Sequence, residues 1–421
     1  MTGDSSARDA HDPYAALRFP DFRRLVGSVL VLTVATQLQE VVVAWQIYAV
    51  TKDPLSLGLV GLAEALPFIG IALFAGHVAD RMNRRRVVAL AILVMLGCAA
   101  TLLGFTLVPG GIAARHIWPI YGVIFVTGVA RSFLQPARQA LGAELVPRAL
   151  YPNAVAWRSS IWQLAAVIGP ALGGLLYGFA GPAAAYGVDL ALTAAALGAI
   201  TRLRHVGSER PSQEASVVES LGVGVRFLRS QPILLGAITL DLFSVLFGGA
   251  TALLPIFAAD VLHVGPEGLG LLRAAPSVGA VVMSLVLAHR RPLRRAGPTL
   301  LTYVALFGLT MIGFGLSRNF TLSAILLAAS GAVDMVSVVI RSTLLQVSTP
   351  ESLLGRVSSV NQIFIGSSNE IGAFESGVAA RLMGTVPSVV FGGMVTLLVV
   401  AVTAWRVPEL RRLGRLDGGK R

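Results

Sequence analysis

Read for apolar and polar positions alone, the chain is a succession of hydrophobic runs separated by short polar turns. Each run is close to the roughly 20 residues that cross a bilayer as a helix. Runs at about 25–50, 56–79, 87–108, 117–141, 153–179 and 183–203 precede one long polar break, and six more follow at about 233–258, 269–288, 298–316, 321–346, 358–382 and 387–407. Inside a bilayer every backbone polar group must be satisfied within its own segment, so runs of this length can only be helices, and neighbours joined by short turns must be antiparallel. The pattern predicts an all-α membrane protein with twelve transmembrane helices in two pseudo-symmetric six-helix bundles, 25–203 and 233–407. A cytoplasmic segment 1–24 precedes the first bundle, and a cytoplasmic tail 408–421 follows the second. The break at 204–232 contains, over 216–229, the spacing of an amphipathic helix lying on a membrane surface.

Composition agrees with the pattern. The 421 residues are 55% hydrophobic and 13% charged, whereas a soluble domain carries about 25% charge. Mean hydropathy is +0.74, which leaves a polytopic membrane protein as the class that fits. The formal net charge of +12 would suggest nucleic acid in a soluble protein, but here the basic residues fall in alternate turns. They cluster at Arg18, Arg23 and Arg24, at Arg81 to Arg86, at Arg202 and Arg204, at Arg290 to Arg295, and at Arg406 to Arg421. The intervening turns hold Lys52, Arg115 and Arg318. That alternation is the positive-inside bias and places both termini in the cytoplasm of a bacterial-type inner membrane. Nucleic acid is excluded as a partner; the lipid bilayer and a small-molecule substrate are expected, with the monomer as the working unit.

Polar residues inside the apolar runs are costly and mark function or internal pairing. The first run carries Gln37, Gln39, Glu40 and Gln46, too polar to face lipid, so these residues are expected to line a wet interior. Further acids lie at Glu64, Asp189, Asp241, Asp334, Glu370 and Glu375, with Arg131, Arg273 and Arg341 as available counter-charges. Arg131 could neutralise an acidic substrate, hold a carboxylate's charge, or bridge to the first or second span. Asp334 and Arg341 share a helix face but, seven residues apart, are expected to lie out of direct reach of each other. Phe133, Trp157 and Trp162 could meet an apolar ligand. The sequence has no Gly-x-x-x-x-Gly-Lys-Ser/Thr phosphate loop and no His or Cys set with metal spacing, so no cofactor and no metal is expected. Cys98 stands alone in an apolar run as a packing residue. A carboxyl group that alternates between wet and dry surroundings can load and unload a proton. Glu40, Asp241, Glu370, Arg131 and Asp334 are therefore the coupling candidates, with the proton gradient as energy source.

One turn gives the chain a kinship. Gly76, Asp80, Arg81, Arg84 and Arg85 spell Gly-x-x-x-Asp-Arg-x-x-Arg-Arg between the second and third runs, and this resembles the loop signature of the major facilitator superfamily. The resemblance implies two halves that alternate access to a midplane site, with this turn as a conformational latch. Gly169, Pro170, Gly173 and Gly174 in the fifth run are similar to the span-five motif of that superfamily's exporters. The stretches from Leu240 to Pro255 and from Thr349 to Arg356 look like the subgroup of bacterial drug and siderophore (enterobactin) exporters. What this implies is a secondary active transporter, not an enzyme, that moves a small amphiphilic compound outward against a proton current. The same fold could instead take up a metabolite, and a non-transporting membrane receptor is the reading from another class.

Overall fold

In the computed structural model the described residues are 12–108, 117–204, 217–290 and 295–414. The helices in chain order are α1 (Pro20–Thr51), α2 (Pro54–Arg81), α3 (Arg84–Leu107), α4 (Trp118–Glu144), α5 (Tyr151–Thr201), α6 (Val217–Ser230), α7 (Pro232–Gly248), α8 (Leu254–Ile256), α9 (Gly265–Ala288), α10 (Ala296–Leu316), α11 (Phe320–Ser348), α12 (Glu351–Met383), α13 (Thr385–Arg406) and α14 (Pro408–Arg412). Among the described residues, nine stretches are long and apolar enough to cross a membrane. One of them runs through α5, which is two crossings joined at Gly181, where φ is 80° and only glycine sits without strain. α4 and α12 fall short on hydropathy because they carry Arg131, Arg138, Glu370 and Glu375; they complete the twelve. The least apolar crossings are thus ones that border the interior.

Local chemistry sets the boundaries. Pro20 at the first turn starts α1 five residues before the apolar run begins. Lys52, with φ 52°, ends α1, and the Asp53 side chain accepts from the Leu55 N–H to start α2, so the hairpin turns in two residues. The seventh crossing is not the continuous helix the hydrophobic run predicts. α7 ends at Gly248, and the chain resumes through a 3-10 turn (Thr251–Leu253), α8 and a π turn (Phe257–Val261). Two consecutive glycines, then Pro255, withdraw the propensity needed to keep this segment wound. At the C-terminus α14 folds back rather than trailing free. Leu410 is fully buried, and the Ala296 and Gly297 N–H groups at the start of α10 donate to Gly414 and Leu413 carbonyls.

α1 lies between the two limbs of α5, and two seams join the halves: α2 on α12 and α5 on α9. Both seams are built on glycine. A Cβ on Gly174 would sit 2.4 Å from the Pro266 carbonyl oxygen and 2.7 Å from the Gly270 Cα, and one on Gly377 would sit 2.6 Å from the Gly58 Cα. Such approach puts backbone against backbone across the seam.

The cores show which end is closed. At the end bearing the α1–α2 turn, Leu38, Ile47, Leu57 and Tyr186 of the first half share one core with Leu254, Phe257, Leu269 and Phe314 of the second. At the basic end the first half has its own core, with Phe22, Ile92 and Leu141. The second half likewise has Leu234, Leu300 and Leu344 to itself there. The halves therefore meet at the far end and part at the basic end. Polar contacts across the far end follow the same division. The Tyr48 hydroxyl donates to Asp260, Lys52 lies 3.8 Å from Asp260, and Arg381 lies 3.6 Å from Asp53.

Candidate functional site

A chamber of about 550 Å³ lies between the halves. Its charged lining comes from five helices: Glu40 (α1), Glu64 (α2), Arg131 (α4), Arg273 (α9) and Glu370 (α12). Arg131 Nη1 donates to Glu40 Oε1 at 3.2 Å and to Glu64 Oε1 at 3.3 Å. Arg273 Nη2 reaches from the other half to Glu40 Oε2 at 2.7 Å. Across the α2–α12 seam Glu64 and Glu370 both turn to the chamber, one from each half. An ionised carboxylate has no donor, so two such groups hydrogen-bond each other only while one of them holds a proton. Three acids against two arginines leave the lining one negative charge in excess.

The rest of the lining is mixed, as a site for an amphiphile requires. Gln37, Gln39, Thr36 and Asn369 supply amides and a hydroxyl; Val43, Val60, Ile124 and Trp162 supply apolar surface. Gly249, Thr251 and Ala252 of the broken seventh crossing also line the chamber, and the freed Gly249 carbonyl accepts from the Ser376 hydroxyl at 3.1 Å. Irregular backbone at membrane depth is tolerated where it borders such a cavity.

Several expectations shift. Gln46 does not line the chamber; it is buried and its Oε1 accepts from the Tyr186 hydroxyl at 2.8 Å, tying α1 to the second limb of α5. Asp241 is held by Arg341 inside the second half and lines a separate small pocket with Tyr303, Phe307 and Asp334, away from the chamber. Asp334 and Arg341 do approach, at 3.9 Å, because an arginine side chain folded back along its helix covers most of the roughly 10 Å rise over seven residues. Asp189 is buried against Thr193, not an arginine. Trp157 packs on Tyr14 and donates to the Pro13 carbonyl, and Phe133 packs on Phe74.

Of the latch residues, Arg84 pairs with Glu144 at the end of α4, and Arg85 donates to the Thr201 carbonyl at the end of α5. The side chains of Gly76, Asp80 and Arg81 lie outside the described residues. The span-five glycines serve two neighbours. Gly169 and Gly173 admit α1 at Val34, Gln37 and Leu38, and Gly174 meets α9 of the other half. Pro170 is buried beside them, its carbonyl 2.6 Å from where a Gly270 Cβ would stand.

Arg131 holds two carboxylates at once through Nη1. Arg131→Met should therefore lower stability by about 3 kcal/mol, the low end for a broken buried pair because the chamber is wet. A fall in the thermal unfolding midpoint in detergent measures it, and adding Glu64→Gln to the same chain should restore most of the loss. An unchanged midpoint would remove these pairs from the list of what holds α1, α2 and α4 together in the first half.

Two parted bundles around a charged, mixed-polarity chamber define a multi-pass membrane transporter. A family model described as transmembrane secretion effector matches residues 11–417. The enterobactin exporter EntS of Citrobacter koseri is 30% identical over 399 residues, covering 93% of each chain, and that of Shigella flexneri is 29% identical over 401 residues with the same coverage. Among solved structures, a mutant of the nucleoside transporter NupG superposes with a TM-score of 0.72 at 11% identity, covering 91% of this chain and 99% of that one. A bacterial homolog of the human lysosomal transporter Spinster, inward-facing and unoccupied, gives 0.69 at 15% identity, covering 94% and 97%. The chain belongs to the transmembrane secretion effector family, within the major facilitator superfamily.

Proposed function

We propose that the protein exports a small amphiphilic compound, of the drug-like or siderophore kind, in exchange for protons. The observation that carries this reading is the Glu64–Glu370 carboxyl pair, one member from each half, at the seam that must move. With the basic end in the cytoplasm, as the arginine distribution favours, the chamber opens inward. A substrate that binds beside Glu370 displaces the shared proton to the cytoplasm. Two ionised carboxylates then face each other across the α2–α12 seam, and their repulsion favours parting it at the far end. Substrate leaves outward, and a proton from outside restores the pair and the closed seam. Outward movement of substrate is thereby tied to inward movement of a proton. The relatives named enterobactin exporters support the outward direction and a siderophore as cargo.

The test is transport in proteoliposomes with enterobactin as the probe and an imposed pH gradient. Movement toward the acidic compartment, abolished by a protonophore, is expected. Movement that ignores the gradient would sink the coupling scheme, and movement toward the alkaline side would make the protein an importer.

A further inference from the structure

Two arginines on the approach to the chamber face no acid among the described residues. Arg138 lies seven residues beyond Arg131 on α4, hence on the same face and two turns nearer the basic end. Arg158 lies four residues before Trp162 on α5, so it shares the face that Trp162 turns to the chamber. Its guanidinium crosses to α4, where a Cβ on Gly142 would stand 3.7 Å from Nη1; Gly142 is one turn past Arg138. Arg131, Arg138 and the Arg158 guanidinium therefore follow one another from the chamber toward the basic end. Arg131 is neutralised by Glu40 and Glu64. By contrast, Arg138 donates to the uncharged Oε1 of Gln135 at 2.8 Å, and among the described residues Arg158 has no acidic partner. Side by side on the open, basic side of the chamber, the two present positive charge that no acid among the described residues cancels.

We infer that Arg138 and Arg158 are a binding step for an oxyanion, and that the transported amphiphile carries one: a carboxylate, phenolate, sulfonate or phosphate group. A guanidinium fork matches such a group with two parallel hydrogen bonds. Trp162, one turn above Arg158, offers a ring for the apolar part of the same molecule. The pair thus stands on the way into the chamber, outside the arginines already held by Glu40 and Glu64. The inference rests on the transport reading for the route taken, but not on proton coupling.

The test uses the full-length protein in zwitterionic phosphatidylcholine nanodiscs at equilibrium, without a gradient, so its failure leaves the coupling scheme standing and the reverse also holds. The probes are anilinonaphthalene sulfonate and phenylnaphthylamine, which is the same ring system without the sulfonate, each corrected for empty nanodiscs. Wild type should bind the sulfonate at least about tenfold more tightly. The R138Q/R158Q double variant should lose that preference while keeping its affinity for the uncharged probe, and R138K/R158K, which keeps the charge but not the fork, should retain part of it. Absence of preference in wild type, or equal loss of both probes in R138Q/R158Q alongside a well-behaved R138K/R158K, overturns the inference. So does a wild-type preference that disappears when phosphatidylglycerol is added, since the pair would then be a lipid headgroup site.

Discussion

Glu370→Gln should abolish gradient-driven transport, by about 100-fold or more, while exchange of substrate for substrate across the membrane continues. Glutamine keeps the size and a hydrogen bond to Glu64 but has no proton to give up, so the chamber can still rock with cargo and can no longer be driven by a proton current. Parallel assays of counterflow and of pH-driven accumulation in proteoliposomes separate the two. Because Glu64 is also held by Arg131, Glu64→Gln removes one ion-pair partner as well and should lower stability in addition. If Glu370→Gln accumulates substrate as wild type does, the carboxyl pair is a packing contact and the energising group lies elsewhere.

Gly174→Leu should be the most damaging change outside the chamber. The first added atom would already stand 2.4 Å from the Pro266 carbonyl oxygen and 2.7 Å from the Gly270 Cα, both backbone of the opposite half, which cannot swing aside. Overpacking of this kind costs about 1–3 kcal/mol. Here the cost falls on one conformation, the one closed at the far end, so the population shifts toward the state open there by roughly 5- to 150-fold. Transport should fall at least tenfold, because a cycle needs both states. A cysteine introduced at Ala252, in a chain lacking Cys98, should react faster with an impermeant thiol reagent from outside in the Gly174→Leu variant than in the parent. Equal reaction rates and normal transport would show that the α5–α9 seam yields more easily than its geometry suggests.

What the sequence made legible follows from how local each feature is. Twelve crossings could be read because a bilayer demands length and apolarity one segment at a time, and Glu40, Glu64, Glu370 and Arg131 stood out because a charge in an apolar run is conspicuous wherever it points. Which charges meet was not legible. Asp241 and Glu370 look alike along the chain, yet one is satisfied by Arg341 within its own half and the other faces Glu64 across a seam more than 300 residues away in sequence. Gln46 shares a helix with Gln39 but turns to Tyr186, a partner fixed by how α1 seats between the limbs of α5. The break after Gly248 was signalled by Gly248, Gly249 and Pro255, but strong hydrophobicity masked it. Asn369, an unremarkable amide beside Glu370, enters the chamber for the same reason that Glu370 does.

The glycine-on-glycine contacts at Gly58 with Gly377 and at Gly174 with Gly270 have a consequence for speed. Interlocked side chains would have to be unpicked and re-meshed at every turnover, each disengagement adding to an activation barrier. Bare backbone presents no teeth. At these two contacts the bundles therefore meet on smooth bearings, and what resists the swing is the side-chain core and the charges they share at the far end.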